Sequence, residues 1–125
     1  MLVFPFYRGD TVRIPLEFAT YTDDTQTTTE PIDITGYLIF LTLKSSIEDS
    51  DEDAAVQVIT SAHEDAEGGI SEIVIPASLT GTLTPGKFYY DIQTVTPAGD
   101  VTTIECSKVT VYKDVTLVIA ATETP

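Results

Sequence analysis

Residues 37–44 read Tyr-Leu-Ile-Phe-Leu-Thr-Leu-Lys, and apolar side chains occupy both odd and even positions. Successive side chains of a β-strand point to opposite faces of the sheet, so this stretch predicts a central strand that is covered on both sides. Residues 11–18 instead alternate between apolar and polar positions, which is typical of a half-buried strand. Pro15 lies in that second stretch and has no N–H for a ladder, so we expect this strand at a sheet edge.

The rest of the chain repeats short strand patterns that are separated by Gly, Pro and Asp. These patterns lie at residues 54–59, 69–76, 88–93 and 101–112, and residues 115–121 have room for a last short strand. Residues 77–83 have room for only about one helical turn. About seven strands at this spacing predict an all-β fold, an antiparallel immunoglobulin-like β-sandwich.

The length of 125 residues and the hydrophobic content of 42% fit one globular domain that spans residues 1–125. Residues 1–7 form either an N-terminal arm or a first edge strand in this scheme. Residues 19–30 are rich in Thr and Asp without apolar periodicity, and therefore predict a flexible loop.

The charge balance restricts the class of partner. Twenty acidic and six basic residues give a formal net charge of −14, which repels phosphate backbones and anionic headgroups, so we expect neither nucleic acid nor membrane as a partner. The same charge predicts a monomer or a weak oligomer in isolation. The N-terminus shows neither a basic start nor a small-residue cleavage site, so we expect no secretion.

The acidic run at residues 48–53 raises the question of a calcium site, because hard cations prefer clustered carboxylates. Counting from Asp49 as the first ligand of a calcium loop, Ala54 stands where Gly is needed and Thr60 stands where a bidentate Glu is needed. The run therefore predicts a solvated acidic loop, and we expect no metal site and no cofactor.

The residues that could carry catalysis do not form a recognisable motif. His63 is the only histidine and lies beside Glu64 and Asp65, which predicts a surface turn residue. Cys106 is the only cysteine and falls in a strand pattern, where it is expected to pack as a small hydrophobic residue. The sequence contains neither a Gly-x-Ser-x-Gly elbow nor a Gly-rich phosphate loop. We therefore expect no catalytic residues and no enzyme activity.

The N-terminal arm carries five large apolar or aromatic side chains before the first alternating strand. They are Leu2, Val3, Phe4, Phe6 and Tyr7. Pro5 argues against a simple core strand, so at least part of the arm is expected to lie along a sheet edge or to pack on a neighbouring subunit. We treat these five residues as candidate assembly contacts.

Arg8, Gly9 and Asp10 follow the arm and match the integrin-binding tripeptide, but three residues are a weak signal. Gly9 can adopt a positive φ, and Asp10 can bond to nearby backbone amides. The tripeptide therefore predicts a structural turn.

Four stretches, residues 6–11, 31–37, 85–93 and 109–116, together resemble a known family. They occur in the same order as in an immunoglobulin-like domain of tailed bacteriophages, and the chain resembles the N-terminal domain of the phage baseplate upper protein family. The resemblance implies no catalytic residues. It implies a scaffold whose edges and loops dock on other virion proteins.

The resemblance and the residue patterns together lead to one expectation and one alternative. We expect a bacteriophage virion structural protein of the tail, baseplate, neck or head surface, made in the host bacterial cytoplasm and present in symmetry-related copies that contact other virion proteins. The alternative is a small virion-displayed binding module for a host-surface carbohydrate or protein. The sequence contains no Trp, and most aromatic residues fall at strand or arm positions, which favours the scaffold because sugar sites present exposed aromatic faces.

Overall fold

The structure is a computed structural model of the chain, and it describes residues 2–46, 48 and 54–114. These residues form nine strands and one short helix. The strands are β1 (Phe6–Tyr7), β2 (Val12–Glu17), β3 (Ala19–Tyr21), β4 (Thr29–Pro31), β5 (Leu38–Lys44), β6 (Val56–Thr60), β7 (Ile70–Ile75), β8 (Gly86–Val95) and β9 (Val101–Tyr112), and the helix is α1 (Ala77–Thr80).

The strands form one large sheet and two small ones. The large sheet has the order β1-β9-β8-β5-β6, while β2 pairs with β7 and β3 pairs with β4. Every pairing among these strands is antiparallel except that of β1 with β9, which is parallel. The central position expected for residues 37–44 is confirmed, because β5 lies between β8 and β6. The edge position expected for the strand with Pro15 is also confirmed, because among the described strands β2 pairs with β7 alone.

The β2–β7 sheet packs against the five-stranded sheet, and this arrangement is that of an immunoglobulin-like sandwich. In an immunoglobulin-like fold, strands B and E, the second and fifth in chain order, lie in one layer and face strands C, F and G of the other layer. Here β2 and β7 occupy the first layer, and β5, β8 and β9 occupy the second. The predicted all-β, immunoglobulin-like fold is confirmed, with the parallel β1–β9 pair as an addition to the antiparallel plan.

The core lies between the two sheets and follows the period-2 alternation of each strand. The five-stranded sheet contributes buried residues from β5, β8 and β9, and the other layer contributes residues from β2 and β7. Its members include Ile39, Leu41, Leu43, Phe88, Ile92, Val109, Val111, Ile14, Leu16, Ile73 and Ile75. Burial of each such side chain contributes about 1.5–3 kcal/mol, so this layer contact is the main stabilising feature of the fold.

Residues 19–30 differ from the flexible loop that their composition predicts. They belong to a hairpin whose strands are β3 and β4, and the carboxylate of Asp23 organises its tip. The backbone N–H of Thr27 donates to this carboxylate over 2.9 Å, and the hydroxyl of Thr25 donates over 2.8 Å. The hydroxyl of Thr27 donates as well, and these bonds lower the pKa of Asp23 far below its usual range. Polar residues thus order this segment without an apolar face.

The structure describes only some of the remaining segments between and after the strands. The single helical turn expected within residues 77–83 is confirmed by α1. The possible strand at residues 115–121 and most of the acidic run at residues 48–53 lie outside the described residues. Within the part of the chain that the structure describes, no helix has the length and apolar character needed to cross a bilayer.

Gly69 lies at the point where β2, β4 and β7 meet. It is buried with φ of +74°, and a Cβ atom there would collide with the carbonyl oxygen of Phe18 and lie 2.8 Å from that of Ile32. The N–H of Phe18 donates to the carbonyl of Gly69 over 2.7 Å. No side chain fits at this junction, so the hairpin and the second layer of the sandwich depend on glycine here.

We expect Gly69→Ala to destabilise the protein by about 3–5 kcal/mol, from the strained φ together with the backbone clash. Gly99→Ala is the matched control, because Gly99 has φ of +91° and a Cβ atom at this position would meet no heavy atom within 4 Å. The control is expected to cost only about 1–2 kcal/mol. Urea unfolding of both variants measures the difference, and equal losses would contradict the steric account.

Candidate functional site

The five candidate assembly residues of the N-terminal arm separate into two groups. Val3 is 0% exposed and Phe6 is 6% exposed, so both belong to the core of this chain. Phe4 and Tyr7 are 72% and 55% exposed, and Leu2 is also exposed. The assignment of Val3 and Phe6 to contacts with another molecule is therefore corrected, because the arm lies along the sheet edge and turns these two side chains inward. Only Leu2, Phe4 and Tyr7 remain available to a partner.

A small polar network fixes the start of the arm against β8 and β9. The backbone N–H of Leu2 donates to Glu105 Oε2 over 2.8 Å, and the hydroxyl of Tyr90 donates to the same oxygen over 2.9 Å. The N–H of Val3 donates to the Tyr90 hydroxyl over 3.4 Å. Burial, and then the bond to Glu105, raises the pKa of Tyr90 to about 12. Burial tends to raise the pKa of Glu105, but the bonds from Leu2 and Tyr90 outweigh it and the pKa is lowered.

The Arg8-Gly9-Asp10 stretch forms a turn between β1 and β2. Gly9 has φ of +89°. The N–H of Arg8 donates to the carbonyl of Tyr112, and its guanidinium Nε lies 2.9 Å from Asp114 Oδ1. The hydroxyl of Thr80 donates to the carbonyl of Asp10 over 2.6 Å. These contacts tie the turn to β9 and α1, and they are those of a structural element.

His63 is not the surface turn residue that its neighbours predict. Its ring is half-buried, with Nδ1 2.8 Å from Ser71 Oγ and Nε2 2.8 Å from the carbonyl oxygen of Tyr37. Such a Ser–His contact resembles part of a hydrolase site, but Ser71 is 1% exposed and points into the sandwich. The pair therefore joins β7 to the start of β5, and a substrate has no access to the serine. Because Tyr37 lies 26 residues from His63 in the sequence and Ser71 lies eight residues from it, the immediate neighbours of His63 could not reveal these contacts.

Cys106 is exposed, so the expected packing as a small hydrophobic residue is wrong. It lies opposite Asp91 in the β8–β9 ladder, on the outer face of the five-stranded sheet. The outward orientation of Cys106 could have been predicted from Val109 and Val111, whose side chains point inward. Even-numbered positions in the same stretch of β9 must point outward, and Cys106 is one of them.

The outer face of the five-stranded sheet carries a surface depression. We define the outer face as the outward side chains of β5, β6, β8 and β9. It contains a groove of about 320 Å³ whose lining includes Phe40, Thr42, Tyr89, Asp91, Gln93 and Cys106. Exposed apolar side chains of Leu38, Ile59 and Val101 lie on the same face. The groove therefore combines apolar and polar contacts on a rigid sheet.

Hydrogen bonds between side chains organise the polar part of the groove. Gln57 Nε2 donates to Thr42 Oγ1 over 3.2 Å, which links β6 to β5. Gln93 Nε2 donates to Thr103 Oγ1 over 3.2 Å, which links β8 to β9. The groove lining is thus held in place before any partner binds, so less conformational entropy is lost on binding.

The charge of the outer face is opposite to that of the whole chain. Three lysines, Lys44, Lys87 and Lys108, project from this face, and Asp91 is the single acid among its described residues. Three positive charges and one negative charge give this face a formal +2, whereas the whole chain has −14. The ammonium of Lys108 lies 5.5 Å from the ring centroid of Tyr89. Among the described residues, the outer face therefore carries a local excess of positive charge.

The described residues contain no cluster of His, Cys, Asp and Glu that could hold a metal ion. Of the acidic run at residues 48–53, only Glu48 is described, so the calcium question lies outside the described residues.

No protein-family model matches the chain, and no curated protein matches it. Among solved structures, a chain from a structure of murine CRIg is similar, with 13% sequence identity and a TM-score of 0.35. The alignment covers 90% of this chain and 91% of that chain.

Val3→Ala should lower the free energy of unfolding by about 2 kcal/mol, because it removes buried carbon from the core. Phe4→Ala is the matched control in the same arm, and its effect should stay within about 0.5 kcal/mol because Phe4 is exposed. Thermal or urea unfolding of the isolated protein measures both. Equal effects would contradict the separation of the arm into core and surface residues.

The Glu105 network predicts a dependence of stability on pH. Because the folded-state pKa of Glu105 is lowered, its contribution is present above the unfolded-state value of about 4.3 and is lost as the pH falls below it. Thermal midpoints of wild type and Glu105→Gln should therefore differ at pH 7 and converge towards pH 3. Glu17→Gln, at an exposed position of β2, removes the same charge and serves as the control, and it should change the stability by no more than about 0.5 kcal/mol at pH 7. A constant difference between wild type and Glu105→Gln would contradict the role of the carboxylate.

Proposed function

We propose that this protein is a structural component of a tailed-bacteriophage virion, located in the tail, baseplate, neck or head surface, and that it acts by protein–protein contact through the outer face. The observation that carries the proposal is the charge and shape of this face. The described residues of this face have a formal charge of +2 in a chain of −14, and the face contains a partly apolar groove whose charged lining residues are Lys44 and Asp91. Such a surface fits a protein partner that presents acidic and apolar groups.

Electrostatics explain why contact through this face is selective. The remainder of the chain has a formal charge of −16, which follows from −14 minus +2. An acidic partner is repelled by that remainder and attracted by Lys87 and Lys108, so it approaches in one orientation. The apolar side chains of Ile59 and Val101 then supply area that can be removed from water.

The phage assignment is supported by the resemblance of residues 6–11, 31–37, 85–93 and 109–116 to an immunoglobulin-like phage domain. In the structure these stretches include β1, much of β8 and the end of β9, which form one side of the five-stranded sheet. A scaffold role also agrees with the inaccessible Ser71 and with the structural turn at Gly9. We accordingly propose that the protein is not an enzyme.

The alternative function is a virion-displayed module that binds a host-surface carbohydrate. The specific observation in its favour is that the groove combines an aromatic ring, Tyr89, with the carboxylate of Asp91 and the amide of Gln93. Sugar sites use such combinations, with the sugar stacked on an open ring face. Lys108 lies over the ring of Tyr89, which favours the protein-contact function.

We expect Cys106 to be protected from maleimide in intact virions and to react in the free protein, because this single thiol lies inside the groove of the outer face. The reaction rate should fall at least about tenfold on assembly, as a buried thiol lacks access to the reagent. Mass spectrometry of labelled virions measures the modified fraction.

The control variant combines Cys106→Ser with Tyr21→Cys and so moves the thiol to the exposed hairpin, away from the outer face. Equal reactivity of Cys106 in virions and in free protein would reject the outer face as the contact. Absence of the protein from purified virions would reject the proposed function itself. Binding of the free protein to an immobilised glycan, with loss in Asp91→Ala, would support the carbohydrate alternative.

A further inference from the structure

The exposed edges of the sheets differ in how they are protected against pairing with another strand. Natural edge strands are shortened, or carry Pro or charged residues, because a free row of N–H and C=O groups pairs readily with another chain. Strand β1 has two residues, and β2 contains Pro15 between the charged residues Arg13 and Glu17. Strand β7 contains Glu72, and its first residue is bridged to Asp65. These three edges are protected.

Strand β6 has none of these protections. It reads Val-Gln-Val-Ile-Thr over Val56–Thr60, with no charge and no Pro, and its five residues pair with β5 in continuous register. In the described part of the chain, no strand pairs with its other edge. Ile59 is 57% exposed beside that edge. Among the described strands of five or more residues, β6 is thus the one open edge without a charge or a proline.

We propose that β6 pairs with β6 of a second copy of this chain in an antiparallel arrangement about a two-fold axis near Val58, which joins two five-stranded sheets into one. The inference rests on the proposed function, since symmetry-related copies are close together in a virion. In an antiparallel ladder, alternate residues of an edge strand direct N–H and C=O outward, so β6 is complementary to itself. Gln57 of one copy then faces Ile59 of the other.

The charge of the chain sets the orientation of a second copy at this edge. Two molecules of −14 each repel one another, and the five residues of β6 add no carboxylate to that repulsion. The acidic run at residues 48–53 precedes β6 in the sequence, while the uncharged Ser61 and Ala62 follow it. Antiparallel pairing about Val58 keeps the two acidic runs at opposite ends of the joined strands, each towards Glu64 and Asp65 of the other copy, so this repulsion weakens the contact without placing run against run. Parallel pairing would bring the two acidic runs to the same end.

The same considerations set the strength of the contact. Five residues of edge pairing bury little surface compared with stable dimers, and the net charges repel each other over about 10 Å at low salt. Association in dilute solution is therefore weak and increases with ionic strength. In a particle, fixed neighbours raise the effective concentration, so a weak edge contact is populated.

Sedimentation equilibrium of the full chain in about 0.5 M NaCl, at concentrations up to about 1 mM, tests the pairing. We expect a reversible dimer for wild type, and a dissociation constant at least about tenfold higher for Ile59→Lys, because the new charges lie close together across the axis. Tyr21→Lys, with the same change of charge on the exposed hairpin, should dimerise like wild type. In the wild-type protein, concentration-dependent shifts of backbone amide resonances should be confined to β6, at its unpaired edge.

Three results would overturn the pairing: a wild-type monomer at all these concentrations, association that Ile59→Lys leaves unchanged, or amide shifts located elsewhere. Circular dichroism of Ile59→Lys checks that the variant is folded. Protection of Cys106 in virions reports on the proposed function separately, because Cys106 lies on β9, with β8 and β5 between it and β6. A monomer in solution together with protected Cys106 in virions would therefore reject the pairing and retain the proposed function.

Discussion

β5 is hydrogen-bonded to β8 along one edge and to β6 along the other, and its alternation sets both faces of the five-stranded sheet. Ile39, Leu41 and Leu43 point into the sandwich and are fully buried, while Phe40 and Thr42 line the outer groove. A slip of one residue in this register would exchange the core positions with the groove positions. The core, the groove and the exposed edge of β6 therefore all depend on the register of one strand.

Charge determines where this molecule can make contacts, in addition to keeping it soluble. The twenty acidic side chains make most of the surface repulsive to another copy and to acidic partners. The exceptions adjoin each other: the described part of the outer face has Asp91 as its single acid, and β6 at the margin of that face has none. Two contacts of different kinds can therefore form from one sheet, one through side chains on its face and one through the backbone at its edge.

The period-2 patterns predict the fold well because β5, β2 and the β8–β9 hairpin bury alternate side chains. The same patterns place Cys106 on the outer face once Val109 and Val111 are placed in the core. The expectation that Cys106 is packed inside was wrong because it rested on the residue type and ignored the alternation along β9. The hairpin ordered by Asp23, the contact of His63 with Ser71 and the Glu105 network could not be predicted in this way. Polar side chains create them, and the period-2 pattern carries no information on which polar groups meet: Ser71 lies eight residues from His63, and Tyr90 and Leu2 lie 15 and 103 residues from Glu105. The groove, likewise, is formed by side chains from four strands that only the sheet order brings together.

The parallel pairing of β1 with β9 has a mechanical consequence. The two strands run in the same direction, so the chain enters this sheet edge at one end and leaves it at the other, beside the Arg8–Asp114 ion pair. Tension applied through the segments that flank Leu2 and Asp114 acts along the strands and loads their hydrogen bonds together, in shear. An antiparallel terminal pair pulled from one end would release its bonds one after another. A force that separates Leu2 from Asp114 would therefore load β1, β9 and the Glu105 anchor together.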